Sequence, residues 1–379
     1  MKKILTLFLI IFLPVSISKS ALALKKLEDL SRGLPKGVKV YKYRSDDRHA
    51  VLYVAQMDRQ YYPTIRFRTS AARGKVLGRA TVGDIVRQAT KNGKNVIVAV
   101  NASFGMLHGT YEGEIENLHI QNKMLISPPN SHACFGVTKS GEFLIGNVKM
   151  NILVKVAGKE IRVQGLNQER DRNGSIALYT PRFGSSTRTN SGYEVVLSNV
   201  SIPLTPKYKS RFTVSDVRNS GNTKIPKGGF VISAKKGSKL AKLLSNLKIG
   251  DQGELTVSLS PKKWNDVVEG IGSNCWLVRH GTIYKTKGRR STRDDPRTAL
   301  GYNDKKLFLM VVDGRQGGYS NGMSYRDVAS AMIKLGAKEA INLDGGGSST
   351  FIVNGKLINR PSDHNERRVL NAVFITSNR

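Results

Sequence analysis

Short runs of alternating apolar and polar residues recur from about residue 50 to the C-terminus, and few segments carry helical spacing. The alternation predicts strands over Ala50–Met57, Pro63–Thr69, Val96–Val100, Phe143–Ile145, Ile152–Val156, Ser175–Tyr179 and Glu194–Val200. It predicts more over Gly229–Ser233, Glu254–Ser258, Leu307–Val312, Ala340–Leu343, Thr350–Val353 and Asn371–Ile375. Clusters of Gly, Asn, Asp and Ser separate them. Two helices have start signals, Thr81-Val-Gly-Asp84 and Ser324-Tyr-Arg-Asp327, each a capping box with Asp in the usual Glu position. The second puts Val328, Ala331, Met332 and Leu335 on one face. Gly93 and Gly336 stand where the helices should stop, and each helix feeds a strand. The two segments align without a gap at an offset of 243, so that Asn101 matches Asp344, which marks a candidate internal duplication. The expected fold class is α+β: mixed, largely β sheets with a few helices, and one β-loop-α-β unit carrying the chemistry. No linker divides the chain, so residues 24–379 read as a single domain, with 150–260 as a candidate β-rich insertion.

The first residues change the picture. Lys2 and Lys3, the apolar stretch from Ile4 to Ile17 and the small-x-small triplet Ala21-Leu22-Ala23 read as a secretory signal peptide over residues 1–23. The expectation is an exported protein, periplasmic or secreted, without stable membrane insertion, because the apolar run is short of the roughly 20 residues a span needs. The 379 residues carry 61 Lys+Arg against 28 Asp+Glu, a net charge of +33. That excess suits an anionic partner such as a phosphorylated glycan or wall polymer. Nucleic acid is not expected, since the chain has no recognition module and no aromatic-interleaved basic stretch. Cys134 and Cys275 either pair or remain as two buried thiols; spacing does not decide.

The chemistry gathers in the last third. Leu307–Val312 ends in Asp313-Gly-Arg315, and Ala340–Leu343 ends in Asp344. A helix between two strands makes them parallel, so Asp313 and Asp344 should lie on one rim, where open α/β sheets bind ligands. They are the candidate catalytic carboxylates, at a separation that suits either geometry of glycosidic cleavage. Gly345, Gly346, Gly347, Ser348 and Ser349 precede a strand, not a helix, and carry no phosphate-loop Lys. They read as an anion nest rather than a nucleotide site. Arg297 and Arg315 would add bidentate phosphate contacts.

These residues fall in longer motifs. Arg293-Asp-Asp-Pro-Arg-Thr-Ala-Leu-Gly301, Val311-Val-Asp-Gly-Arg-Gln-Gly-Gly-Tyr-Ser320, Asn342-Leu-Asp-Gly-Gly-Gly-Ser-Ser-Thr350 and Asn359-Arg-Pro-Ser-Asp363 together resemble the phosphodiester glycosidase family. Weaker resemblance runs through Asn101-Ala-Ser-Phe104, Gly165-Leu-Asn-Gln168, the Tyr179 to Thr187 run and Gly270-Ile-Gly272. One departure is Asn101-Ala-Ser-Phe104, where the family usually has Asn-Gly-Gly-Phe; side chains at Ala102 and Ser103 narrow that space. The resemblance implies hydrolysis of a sugar-1-phosphodiester, with a phosphate monoester as leaving group. On that footing Arg297, Arg315 and the Gly345–Ser349 loop would hold the phosphodiester. Asn101, Asn342 and Asn167 would orient sugar hydroxyls or loops, and Arg170, Thr187 and Asp363 would line the site, the last with Glu366 and Arg367 nearby. The resemblance points to no definite cofactor; Ca²⁺ is a candidate because carboxylates and carbonyls cluster here, although no loop has recognisable metal-ligand spacing. The competing expectation is a non-catalytic, polyanion-binding envelope protein.

Overall fold

The computed structural model describes residues 22–171, 175–284 and 292–378. Most of the predicted leader therefore lies outside the described residues. Among the described residues the strands form four sheets, and three α-helices pack on them. Each predicted strand is present, displaced by no more than a few residues at its ends.

One eight-stranded sheet positions the site. Its order is Lys25–Asp29, Val38–Ser45, Ala50–Asp58, Lys306–Val312, Arg297–Tyr302, Glu339–Leu343, Cys275–Arg279 and Thr282–Ile283. Lys306–Val312 and Glu339–Leu343 are each antiparallel to Arg297–Tyr302 between them, hence parallel to one another. Their C-terminal ends share one rim, about 10 Å apart at two strand spacings. The strand between them, Arg297–Tyr302, was not anticipated. It is buried from Arg297 to Gly301, with both faces covered, so it shows no alternation.

The helix Tyr325–Lys334 joins the parallel pair. Ser324 Oγ accepts the Asp327 amide, and Val328, Ala331 and Met332 are buried against the sheet. The helix Val82–Lys91 repeats this design, with Thr81 accepting the Asp84 amide. Each such cap is worth about 1 kcal/mol. Gly93 at φ 80° and Gly336 at φ 97° make the left-handed stops. The first helix connects Ile65–Ala71 to Asn95–Asn101, and Asn371–Ser377 lies antiparallel between those strands. The same three-strand, one-helix unit thus occurs twice.

A second sheet of eight strands is built wholly from residues 149–260 and adds the helix Lys239–Ser245. Its longest strand, Tyr208–Arg218, buries Tyr208, Ser210, Phe212 and Val214 and exposes Lys209 and Arg211. The remaining five-stranded sheet contains Ala133–Thr138 and Val267–Gly272. One apolar core unites three sheets, through Tyr53, Leu309 and Ile341, Phe67 and Val98, and Phe135 and Ile271. Cys134 and Cys275 are both free thiols, the first fully buried. No described helix is long and apolar enough to cross a membrane.

Candidate active site

The two repeated units meet at Asp344. Asp344 N donates to Ala102 O at 2.8 Å, and Asn101 Nδ2 donates to Asp344 O at 2.6 Å. Asn101 and Asp344 are the positions equivalent at the offset of 243, each at the end of its strand. Asn101 Oδ1 also accepts from Thr298 Oγ1 and Thr350 N, at 2.8 and 3.1 Å. Asn101 is therefore a clamp that ties three segments to the Asp344 main chain, not a sugar ligand; it is fully buried.

The Asp344 side chain is half-buried. Burial pushes its pKa up from 3.8 to about 6, against donors at Ser348 and Gly345 and the cation of Arg367, which draw it down. The negative charge of Glu116 adds to the rise. Glu116 is exposed and was not singled out in the sequence. It stands on the return arm of the loop that leaves Asn101, where its amide donates to Phe104 O at 3.1 Å. Nothing local in the sequence marks it, because only the loop's return brings it to Asp344.

Asp313 lies on the same rim but is only 1% exposed. Its Oδ1 accepts from Asn359 Nδ2 at 2.8 Å, and its Oδ2 accepts from Arg360 N at 3.0 Å and Tyr319 hydroxyl at 3.1 Å. Burial raises its pKa, and these donors oppose the rise. Asn359 Nδ2 also donates to Ser349 O at 3.0 Å, and its Oδ1 accepts Phe351 N at 2.7 Å. Asp313 thus anchors the chain beneath the glycine turn, and its pairing with Asp344 as a second reacting carboxylate is corrected: at 1% exposure, with three donors on its two oxygens, it holds the turn in place.

The arginines divide similarly. Arg297 is 5% exposed. Its Nε donates to Met323 O at 2.8 Å, its Nη2 donates to Arg293 O at 2.6 Å, and its guanidinium lies 4.4 Å from the centroid of the Tyr325 ring. It is corrected from a phosphate ligand to a bolt between the 293–297 segment and the helix start. Arg315, 44% exposed, is held by Asp295 at 3.0 Å. Its terminal nitrogens lie 3.3 Å from where a Cβ on Gly346 would stand. Arg367, 36% exposed, pairs with Asp363. A Cβ on Gly347 would fall on that pair. The glycines accordingly let two half-exposed guanidinium groups close on the turn.

The turn itself spends several amides internally: Gly346 N donates to Pro296 O, Ser348 N to Gly345 O and Ser349 N to Gly346 O, at 2.9, 3.3 and 3.1 Å. The anion nest expected from Gly345 to Ser349 is narrower than the motif suggested. Ser348 and Ser349 are 1% exposed; the Ser348 hydroxyl serves the Asp344 carboxylate, and Ser349 serves the fold. Asn342 is likewise buried; its Nδ2 bonds Asn274 Oδ1 and Tyr325 hydroxyl at 2.9 and 3.3 Å, so it reaches no ligand. Asn167, fully buried, bonds Ile126 O and Thr180, and Thr187 bonds Glu194 Oε2 at 3.0 Å. Arg170 packs in the 149–260 sheet beside Ser191 and Ser233. These three sit on a different part of the fold from Asp344, fixing structure there. For calcium, no group of three or more His, Cys, Asp or Glu side chains comes together among the described residues.

A carboxyl with a raised pKa on a strand rim, a glycine turn and two half-exposed guanidinium groups thus come together. Residues 209–376 match the family model described as phosphodiester glycosidase. A bovine relative, N-acetylglucosamine-1-phosphodiester alpha-N-acetylglucosaminidase, is 31% identical over 191 residues, 41% of this chain and 36% of its own. The human enzyme of that name is 34% identical over 116 residues, 26% of this chain and 22% of its own. The chain thus aligns with about a third of the bovine relative's length and about a fifth of the human one's. Among solved structures, a hypothetical protein from Synechocystis matches at TM-score 0.76 and 20% identity, covering 95% of this chain and 64% of that one. A putative exported protein from Burkholderia pseudomallei matches at TM-score 0.66 and 18% identity, covering 86% and 74%. These two share the fold.

Proposed function

We propose that this protein is an exported hydrolase that breaks the bond between sugar C1 and the phosphodiester oxygen on an envelope glycan or N-acetylhexosamine phosphodiester. The observation that carries it is Asp344: a carboxyl held near pH 6, beside Arg315 and Arg367. The leading basic and apolar residues support export, and the net charge of +33 supports a polyanionic substrate.

In this reading Arg315 and Arg367 hold the phosphate oxygens and neutralise charge as the phosphate monoester departs. Water adds to C1, the C1–O bond breaks with its electron pair going to the phosphate, and the water proton passes to Asp344. A pKa near 6 suits proton transfer at neutral pH better than it suits a fully ionised nucleophile. The exposed Glu116 carboxylate keeps the sugar side negative while cationic character develops at C1. Asp313 is a positioning residue that fixes Asn359 under the turn. The test is release of free sugar from a panel of sugar-1-phosphodiesters, followed by mass spectrometry. Turnover by the wild type and none by Asp344→Asn is expected; salt-sensitive binding of the panel with no product from either protein would replace the hydrolase with a polyanion binder.

A further inference from the structure

The loop that leaves Asn101 has a far end with a second face. Gly105 and Ile115 bridge across it, and beyond them Thr110 and Tyr111 form one wall of a cavity of about 450 Å³. The opposite wall comes from the 149–260 sheet and its loops. This volume falls in the range of about 300–1,000 Å³ typical of small-molecule sites.

The cavity has four cationic side chains, Arg170, Arg188, Lys235 and Lys236, against the carboxylates of Glu169 and Asp171. Asp171 is already met by Arg170 Nε at 3.3 Å and Lys235 Nζ at 3.6 Å, so its charge does not face a ligand alone. Arg170 is 5% exposed and fixed, its Nη1 donating to Ser191 O, Ser233 Oγ and Ala234 O at 2.6, 3.1 and 3.4 Å. Arg188 Nη1 donates to Thr110 O at 2.9 Å, while Tyr111 hydroxyl donates to Arg188 O at 3.1 Å. That pair of bonds latches loop to sheet across the cavity. Arg188 makes it with φ at 54°, a left-handed conformation that side-chain-bearing residues adopt under constraint. The chain thereby accepts backbone strain to present a guanidinium there. The exposed hydroxyl of Ser191 and the ring of Tyr111 complete a lining suited to a polyol face.

We propose that this cavity is a binding subsite for an anionic saccharide, with Arg188 and Lys236 meeting the acid group and Tyr111 lying against the sugar. A bare phosphate would not need a wall of this extent. Naming the saccharide as a remote, acid-bearing part of the glycan substrate rests on the function proposed above. The subsite itself rests on the cavity. Both sites are served by one loop, which leaves Asn101 beside Asp344 and carries Thr110 and Tyr111 into the cavity wall.

The test is binding, not turnover, so a failure of catalysis at Asp344 leaves its outcome intact. Full-length Asp344→Asn protein is titrated by calorimetry with glucose 6-phosphate and trigalacturonic acid, with maltotriose and inorganic phosphate as comparisons. The expected result is saturable binding of the two acidic sugars that weakens with salt, with maltotriose and inorganic phosphate at least tenfold weaker. Adding Arg188→Ala and Lys236→Ala should weaken acidic-sugar binding at least tenfold, and Arg188→Lys should restore part of it. Melting curves identify variants that are not folded, and Lys236→Ala alone, at an exposed position, keeps the test open if Arg188→Ala unfolds the loop. Inorganic phosphate binding as tightly as the sugars, or equal binding by the variants, would overturn the proposal.

Discussion

Replacing Asp344 by Asn should abolish the proposed hydrolysis and at the same time stabilise the fold at neutral pH. The carboxyl ordinarily titrates near 3.8 and is pushed up to about 6 in the folded chain, chiefly by burial. At 1.36 kcal/mol per pH unit, that difference corresponds to about 3 kcal/mol of stability lost to keeping the charge in place above pH 6. Because the side chain keeps some access to water, a gain of about 1–3 kcal/mol is expected for Asn, a rise of several degrees in Tm. The sign follows from proton uptake. Between about pH 4 and pH 6 the folded chain holds a proton that the unfolded chain has released. The wild type therefore gains stability as pH falls through that window, and its deficit against Asp344→Asn closes by pH 4. Melting curves of both proteins from pH 4 to pH 8 measure this directly. Wild-type kcat/KM should fall on the acid side with an apparent pKa near 6. A less stable Asp344→Asn protein at pH 7, or a gap that does not narrow toward pH 4, would refute the idea that burial of this charge sets the site.

Removing the amide at Asn359 takes a donor from Asp313 and leaves a buried carboxylate under-satisfied, so Asn359→Ala should cost about 2–4 kcal/mol in urea unfolding. Arg315→Ala and Arg367→Ala should each lower kcat/KM for a sugar-1-phosphodiester about 10- to 100-fold with little change in Tm, while Arg297→Ala should lower Tm by several degrees because it unbolts Met323 O and the Tyr325 ring. Gly347→Ala places a methyl against Asp363 and Arg367, and should raise KM by shifting Arg367 without unfolding the sheet, as read by steady-state kinetics beside circular dichroism.

The sequence by itself determined the local units. Strand alternation, the two capped helices and their glycine stops were legible because each depends on contacts within a few residues. The parallel placement of Lys306–Val312 and Glu339–Leu343 followed from the helix between them, and Asp313 and Asp344 did reach one rim. The repeat offset of 243 was legible as a pattern, and the structure gives it a meaning no pattern contains: the two equivalent strand ends hydrogen-bond at Asn101 and Asp344. What only the tertiary structure decided is which polar residues face solvent. Arg297 and Arg315 belong to neighbouring motifs, yet one is bolted inside and the other lies half-exposed at the glycine turn. Asp313 and Asp344 close parallel strands, yet the first is 1% exposed and held by three donors, while the second keeps some access to water. Glu116 enters through the return of a loop, and the strand Arg297–Tyr302 was hidden because burial on both faces erases alternation. Residue type and spacing set which groups could react. Burial and hydrogen-bond partners, which depend on segments more than 200 positions apart, selected among them.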